Sequence, residues 1–466
     1  MVEDATALEV AAAIRKKEVS PVEVLDECLA RVDARNPSLN AVIWRNDDAA
    51  RAQARALADR IASGAEALAP FAGVPLPIKD LLPVAGQPLT LGSNGASAEP
   101  STKSEIVADR LVDAGFVLTG RTNTPEFGSI TITENLRYGV TRNPWDTEHT
   151  PGGSSGGAAA AVASGMFPIA QGGDGGGSIR IPSSCCGLVG LKPSRGRIPS
   201  TAPQWMGMAT EGVLTRTVAD TAAVLDVIGA PDPYAWSNAP APDRPFAEEV
   251  GADPGRLRVG LCTTSALDLP VAPEPAAAVE RAGNLLESLG HHVTRLDADV
   301  LDPAAFLPFL NVVNAGLGEL EGIDWSKVEP HDRNGYEAGR NVDSLTLVRS
   351  YSELARFSRT VVRRFDDEFD LLVTPTMAIE PPKAGLLEAV LASAGPTAEI
   401  VAMAAFTCLY NMTGQPAISL PLHMAPSGLP VGVQVVAGPW REAQLLRVAA
   451  QLESAEPWAG RVPPTS

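Results

Sequence analysis

The sequence predicts an α/β fold organised as one large domain. Three observations carry that expectation. Helical and strand-like patterns alternate along the chain, buried-strand runs stand on both sides of a proline-rich segment, and 466 residues are enough for a single large core.

The elements follow in order. Ser20-Pro21-Val22-Glu23 combines an N-cap serine, a proline at the first helical position and a capping-box glutamate. Val22, Leu25, Cys28, Leu29 and Val32 then recur at helical spacing, and a helical hairpin is expected from here. Ile106, Val107, Leu111 and Val112 mark a helix, and Phe116 to Thr119 reads as a strand. Pro231 to Pro245 has linker composition. Beyond it, Arg256 to Cys262, Pro273 to Leu289 and His292 to Leu296 form a strand, a helix and a strand. A polar stretch from about Pro303 to Arg364 is expected to be helical and peripheral. Asp370 to Thr376 and Ala417 to Pro421 are again buried-strand runs. Strands after the linker should therefore rejoin the first sheet, giving one domain over 1–466, and no internal repeat is found.

Hydrophobic residues make up 45% of the chain and charged residues 20%, a balance that suits a packed core. A net charge of −18 argues against nucleic-acid or anionic-membrane surfaces, which need fields of lysine and arginine. The acidic residues are dispersed and read as solubility, with a weak preference for a cationic substrate. Neither a signal sequence nor an apolar run of membrane length is seen, so a cytoplasmic location is expected. The five cysteines, Cys28, Cys185, Cys186, Cys262 and Cys408, lack metal-ligand spacing and read as small core residues. Neither a metal nor a cofactor is expected.

Two glycine-serine clusters carry the chemistry: Pro151-Gly-Gly-Ser154-Ser155-Gly-Gly157 and Gly172-Gly-Asp174-Gly-Gly-Gly-Ser178-Ile-Arg180. Glycine this dense belongs where backbone amides must approach something closely. A phosphate cradle is not expected, because neither cluster continues as Gly-Lys-Ser/Thr and no G-x-G-x-x-G follows a strand here. Gly152-Gly-Ser154-Ser-Gly156 satisfies the G-x-S-x-G of a nucleophile elbow, but that motif is short. It also needs a histidine, and His291, His292, His331 and His423 qualify only by chain order. A third reading brings in Lys79, one of only seven lysines, which follows the apolar run Gly73-Val-Pro-Leu-Pro-Ile. A desolvated lysine loses its proton readily and becomes a usable base. An ion pair with Asp80 explains Lys79 equally well at this point.

Lys79, Gly-Gly-Ser154-Ser155-Gly-Gly and Asp174-Gly-Gly-Gly-Ser178-Ile-Arg180-Ile-Pro182, followed by Cys186-Gly-Leu-Val-Gly-Leu-Lys-Pro193, resemble the amidase signature family. Similar stretches run through Thr6 to Val42, Gly120 to Gly128, Thr133 to Asn135, Gly139 to Pro144, Leu371 to Thr376, Asn411 to Pro416 and Leu429 to Gln434. Nearly the whole chain is covered.

The resemblance implies a mixed central sheet of about ten or eleven strands with helices on both faces. It places a signature core over 62–200 and a helical cap over 300–365. It also implies amide C–N hydrolysis through an acyl-enzyme on Ser178, with Ser154, held on a cis peptide bond, and Lys79 as proton relay. The amides of Gly175, Gly176, Gly177 and Ser178 would hold the oxyanion. Gly128, Ser129 and Ile130 would border the acyl pocket, supported by Asn135, while Asn314 and Tyr336 would close the leaving-group side. Ser155, Asp174 and Arg180 are expected to support the loops. Trp145 and Trp205 read as core or cleft wall.

Many relatives have threonine where Gly173 and Gly175 stand, which suggests a roomier pocket. The motif details look closer to the branch with cyclic nylon-oligomer hydrolases and bacterial aryl and alkyl amidases. That leans toward a small-molecule amide, with esters or carbamates as side substrates, and toward a monomer or homodimer. The alternatives are the A subunit of a tRNA-dependent amidotransferase, an elbow-type esterase and an inactive scaffold.

Overall fold

The computed structural model describes residues 5–64, 68–265, 267–296 and 303–464. The first four residues of the expected domain, 65–67 of the expected core and the start of the expected cap at 300 lie outside the described residues.

Ser20 caps the helix Pro21–Leu39. Its hydroxyl accepts from Glu23 N at 3.1 Å, and Glu23 Oε2 accepts from Ser20 N at 2.8 Å. This reciprocal pair satisfies two amides that a helix start leaves free and is worth about 1 kcal/mol. The expected hairpin is interrupted. Asn40 ends the helix in a left-handed conformation, and Asn36 Oδ1 accepts from Ala41 N and Val42 N, each at 2.8 Å. The chain thereby turns into an extra strand, β1 (Val42–Arg45), before the helix Asp47–Ala62 packs back on the first.

The remaining strands are β2 (Pro75–Lys79), β3 (Val117–Thr122), β4 (Glu134–Asn135), β5 (Gly139–Val140), β6 (Ile169–Asp174), β7 (Val189–Lys192), β8 (Thr210–Thr215), β9 (Arg258–Leu261), β10 (His292–Arg295), β11 (Leu371–Pro375), β12 (Ala417–Met424) and β13 (Pro430–Ala437). Eight of them form one mixed sheet in the order β10-β9-β11-β13-β12-β7-β8-β6. The first three are parallel and the other pairings antiparallel. The β12–β7 pairing, with Ala417 opposite Lys192, joins strands from either side of the 231–245 segment into one sheet. The single α/β domain is as expected.

The sheet is smaller than ten or eleven strands. β1, β3 and β2 form a separate three-stranded sheet whose β2 lies against β6. The ladder breaks there because Lys79 N donates to the Gln171 side chain at 3.1 Å instead of to a strand carbonyl.

Period-two alternation divides the two faces of the main sheet. Val431, Val433, Val435 and Ala437 of β13 face a core shared with the helices Val218–Ile228, Pro273–Ser288 and Glu442–Ala455. The alternate residues Gly432 and Gln434 face the helix Arg180–Cys186. Polar side chains on that second face hold the site loops. The expected peripheral stretch is helical over Phe306–Gly316, Pro330–Arg340 and Ser344–Asp367. All five cysteines are buried thiols, and no single helix among the described residues is long and apolar enough to cross a membrane.

Candidate active site

Two loops meet over the end of β6. One, Gly152–Ser155, enters the helix Gly156–Ala163, which is wholly buried and consists of glycine, alanine and valine. Small residues are needed there, since a Cβ on Gly157 would lie 2.4 Å from Asn123 N and one on Gly156 2.2 Å from Thr133 Oγ1. The Gly153–Ser154 peptide is cis. The other loop, Gly175–Ser178, leads from β6 into Arg180–Cys186. Ser155 ties the two together: its amide donates to Ser178 O at 3.2 Å and its hydroxyl to Gly173 O at 3.2 Å.

Lys79 ends β2 with 2% of its surface exposed, and its Nζ donates to Ser154 Oγ at 2.8 Å and to Gly173 O at 3.5 Å. The ion pair with Asp80 does not form. That carboxylate turns away to Thr90 N at 3.0 Å, Gly92 N at 3.2 Å and the Thr90 hydroxyl. Burial pushes the Lys79 ammonium well below its ordinary range, while Glu211 and Asp174 pull it back up. Ser178 is partly exposed beside this pair. No hydrogen bond joins its hydroxyl to Ser154 Oγ; such contacts often tighten only when substrate arrives. None of the four histidines open to the elbow reading hydrogen-bonds either serine: His291 holds Gln451, His423 holds Glu274 and His331 holds Ser129.

The glycine strip is anchored from below. Asp174 Oδ1 accepts from Gly177 N at 2.8 Å, which takes Gly177 out of the expected oxyanion set. The amides of Gly175, Gly176 and Ser178 have no protein partner among the described residues. Thr407 Oγ1 fixes the strip by donating to Gly176 O at 2.7 Å. Gly177 adopts φ +129°, and a Cβ there would meet Thr407 Oγ1 at 2.3 Å and Ile181 Cδ1 at 2.7 Å. Gly177→Ala should therefore cost about 1–3 kcal/mol of stability and at least about tenfold in kcat/KM. Thermal denaturation and kinetics check this; unchanged kcat/KM would detach the strip from catalysis.

Asp174 and Arg180 are both fully buried. Arg180 donates to both Asp174 oxygens at 2.8 and 2.9 Å, to Thr407 O, to Gln434 Oε1 and to Asn411 Oδ1. Burial alone would raise the Asp174 carboxyl, but the Arg180 charge holds it far below the usual range. The two pair with each other, and Asp174 in turn holds the loop at Gly177 N. Thr407, Asn411 and Gln434 escaped the sequence reading as site residues, although two buried polar side chains, in Asn411-Met-Thr-Gly-Gln-Pro416 and Val-Gly-Val-Gln434, were their signal.

Gly128 lies against Ser154: a Cβ there would sit 3.0 Å from Ser154 Oγ and 2.6 Å from Leu81 Cδ1. Ser129 Oγ lies 3.3 Å from His331 Nε2, and the Ile130 side chain is buried in a core, leaving its backbone to the strip. Asn135 supports this region by donating to Asn123 Oδ1 and Thr124 O. The Asn314 side-chain oxygen lies toward Gly335 on the neighbouring helix, 3.3 Å from where a Cβ there would stand. Tyr336 stacks on Trp325 at 3.7 Å, and Trp325 lies 5.7 Å from Phe127, so an aromatic row reaches the Gly128 strip. Trp145 donates to Cys186 O at 2.9 Å and is a packing residue.

The roomier pocket does not materialise. A Cβ on Gly175 would lie 2.3 Å from the Trp205 ring and one on Gly173 2.9 Å from Glu211 Oε2. Other side chains fill the space that threonines would take.

A family model described as Amidase matches residues 23–446. The 6-aminohexanoate-cyclic-dimer hydrolase of Pseudomonas sp. (strain NK87) is 38% identical over 99% of this chain and 96% of its own length. The putative amidase AmiB2 of Mycobacterium tuberculosis is 38% identical over 95% of this chain and 94% of its own. A solved 6-aminohexanoate cyclic dimer hydrolase complexed with substrate superposes with TM-score 0.92 at 36% identity, covering both chains fully. A bacterial aryl acylamidase of the amidase signature enzymes superposes with TM-score 0.89 at 28% identity, covering 99% of each chain.

Proposed function

The chain belongs to the amidase signature family and is a hydrolase of amide C–N bonds, and on that premise we propose that Ser178 is its nucleophile, Ser154 its proton bridge and Lys79 its base. The observation that carries this is the 2.8 Å hydrogen bond to Ser154 from a buried Lys79 that has no carboxylate at ion-pair distance among the described residues. Neutral Lys79 takes the Ser154 proton as Ser154 takes that of Ser178, and Ser178 Oγ bonds to the acyl carbon. The carbonyl electron pair moves onto oxygen, facing the free amides of Gly175, Gly176 and Ser178; each such donor is typically worth a few kcal/mol. The proton returns through Ser154 to the leaving nitrogen as the C–N bond breaks. Water then releases the acyl group by the same relay.

The substrate is a small linear or cyclic amide with an apolar body. The names of the relatives support the amide, and the walls formed by Trp205 and by Phe127, Trp325 and Tyr336 support the apolar body.

The pH profile tests the relay. Lys79 must be neutral to accept a proton, so kcat/KM should rise with pH and level off above a limb lying below the ordinary lysine value of about 10.4. Lys79→Ala should abolish that limb and lower the rate by about 10³-fold or more. An unchanged profile in that variant would overturn the assignment.

A further inference from the structure

Gln171 and Glu211 stand behind Lys79, and the relay as described uses neither. Gly173 of β6 lies opposite Glu211 of β8. The missing Cβ at Gly173 leaves the space beside Glu211 Oε2, at 2.9 Å. Gln171 braces both partners. Its Oε1 accepts from Lys79 N at 3.1 Å, and its Nε2 donates to Glu211 Oε2 at 2.6 Å and to Gly172 O at 2.9 Å. One side chain thus sets the backbone of the base and the orientation of a carboxylate.

We propose that Glu211 is a positioning residue for amide hydrolysis: held by Gln171 over Gly173, it supplies the negative charge that stabilises the Lys79 ammonium formed when the relay runs. This rests on Lys79 being the base. As Ser178 Oγ bonds to the acyl carbon, its proton passes to Ser154 and the Ser154 proton to Lys79 Nζ. Glu211 gains and loses none. The arrangement does for a lysine what a buried acid does for a histidine base. Too far away for an ion pair, Glu211 leaves Lys79 able to lose its proton, where a contact pair would lock the ammonium.

The groups around the pair are few. Asp174 on β6 also favours the ammonium but is bound to Arg180. Lys192 on β7 acts on Asp174. Glu105, before the helix Ile106–Asp113, acts on Glu211. Arg121 on β3 donates to Lys79 O and Leu82 O. Asp80 is bound to Thr90 and Gly92. Burial lowers the Lys79 ammonium to about 8 and raises the Glu211 carboxyl to about 7, and each is the strongest charge opposing that effect on the other, so Glu211 supplies its charge in the alkaline range where Lys79 works as a base.

The test is the kcat/KM pH profile of Glu211→Gln, which removes the charge and keeps an acceptor for Gln171, alongside Glu211→Asp and Lys79→Ala. Glu211→Gln should move the limb to lower pH by about one unit, because the ammonium has lost its partner. Its plateau should fall about tenfold. Glu211→Asp should restore the limb toward its original position. An unmoved limb, or one moved to higher pH, overturns the proposal, as does equal loss in the Gln and Asp variants. If Lys79→Ala retains full activity, the relay itself has failed; if Lys79→Ala is inactive while Glu211→Gln keeps the original limb, only the role of Glu211 falls. Thermal denaturation of each variant separates misfolding from these outcomes.

Discussion

Alanine at Ser178 is expected to lower kcat for a small amide by at least about 10⁴-fold while leaving thermal stability within about 0.5 kcal/mol. The size follows from what is removed. Without Oγ no acyl-enzyme forms, and the proposed relay of Ser154 and Lys79 has no nucleophile to deprotonate. What survives is the oxyanion strip, because the Gly175 and Gly176 amides do not depend on the side chain at position 178. Stability is spared because Ser178 is partly exposed and its hydroxyl has no hydrogen-bond partner among the described residues. Mass spectrometry after rapid mixing with a slow substrate should show an acyl adduct on the wild type and none on the variant. An adduct on the variant, or residual activity within about tenfold, would place the nucleophile elsewhere.

The second large effect is on stability. Arg180→Met should cost about 3–5 kcal/mol, read from the midpoint of urea unfolding. The variant leaves the Asp174 carboxylate buried without its counter-charge, and it strips Gln434, Asn411 and Thr407 O of a donor. Arg180→Lys should recover little, since an ammonium cannot present the planar fork that reaches both Asp174 oxygens. Combining Arg180→Met with Asp174→Asn should return part of the loss by removing the stranded charge. Activity should fall in all three variants, because Asp174 anchors Gly177 N and Thr407 anchors Gly176 O. A loss below about 1 kcal/mol in the single variant would make this pair dispensable.

The residues proposed as the relay stand out in the sequence because each is unusual where it stands. A lysine ending an apolar strand, and serines inside glycine runs, have few uses outside a site. The capped helix at Ser20, the α/β alternation and the return of strands after the 231–245 segment were legible for a similar reason, since capping and periodicity are local. What failed was non-local. The break between β2 and β6 depends on the Gln171 side chain replacing a ladder carbonyl. The loss of Gly177 from the oxyanion set depends on where Asp174 points, and the filling of the expected space at Gly173 and Gly175 on Glu211 and Trp205, far along the chain.

By itself, then, the sequence determined the fold class and, through its resemblance to a family, the reaction class and the three residues proposed as a relay, because capping, periodicity and family motifs are written in short stretches. Only the tertiary structure decided which amides stay free, what walls the pocket and which carboxylate faces the base. Those depend on which distant strands lie side by side, and strand pairing is set by the packing of the whole sheet rather than by any segment of it.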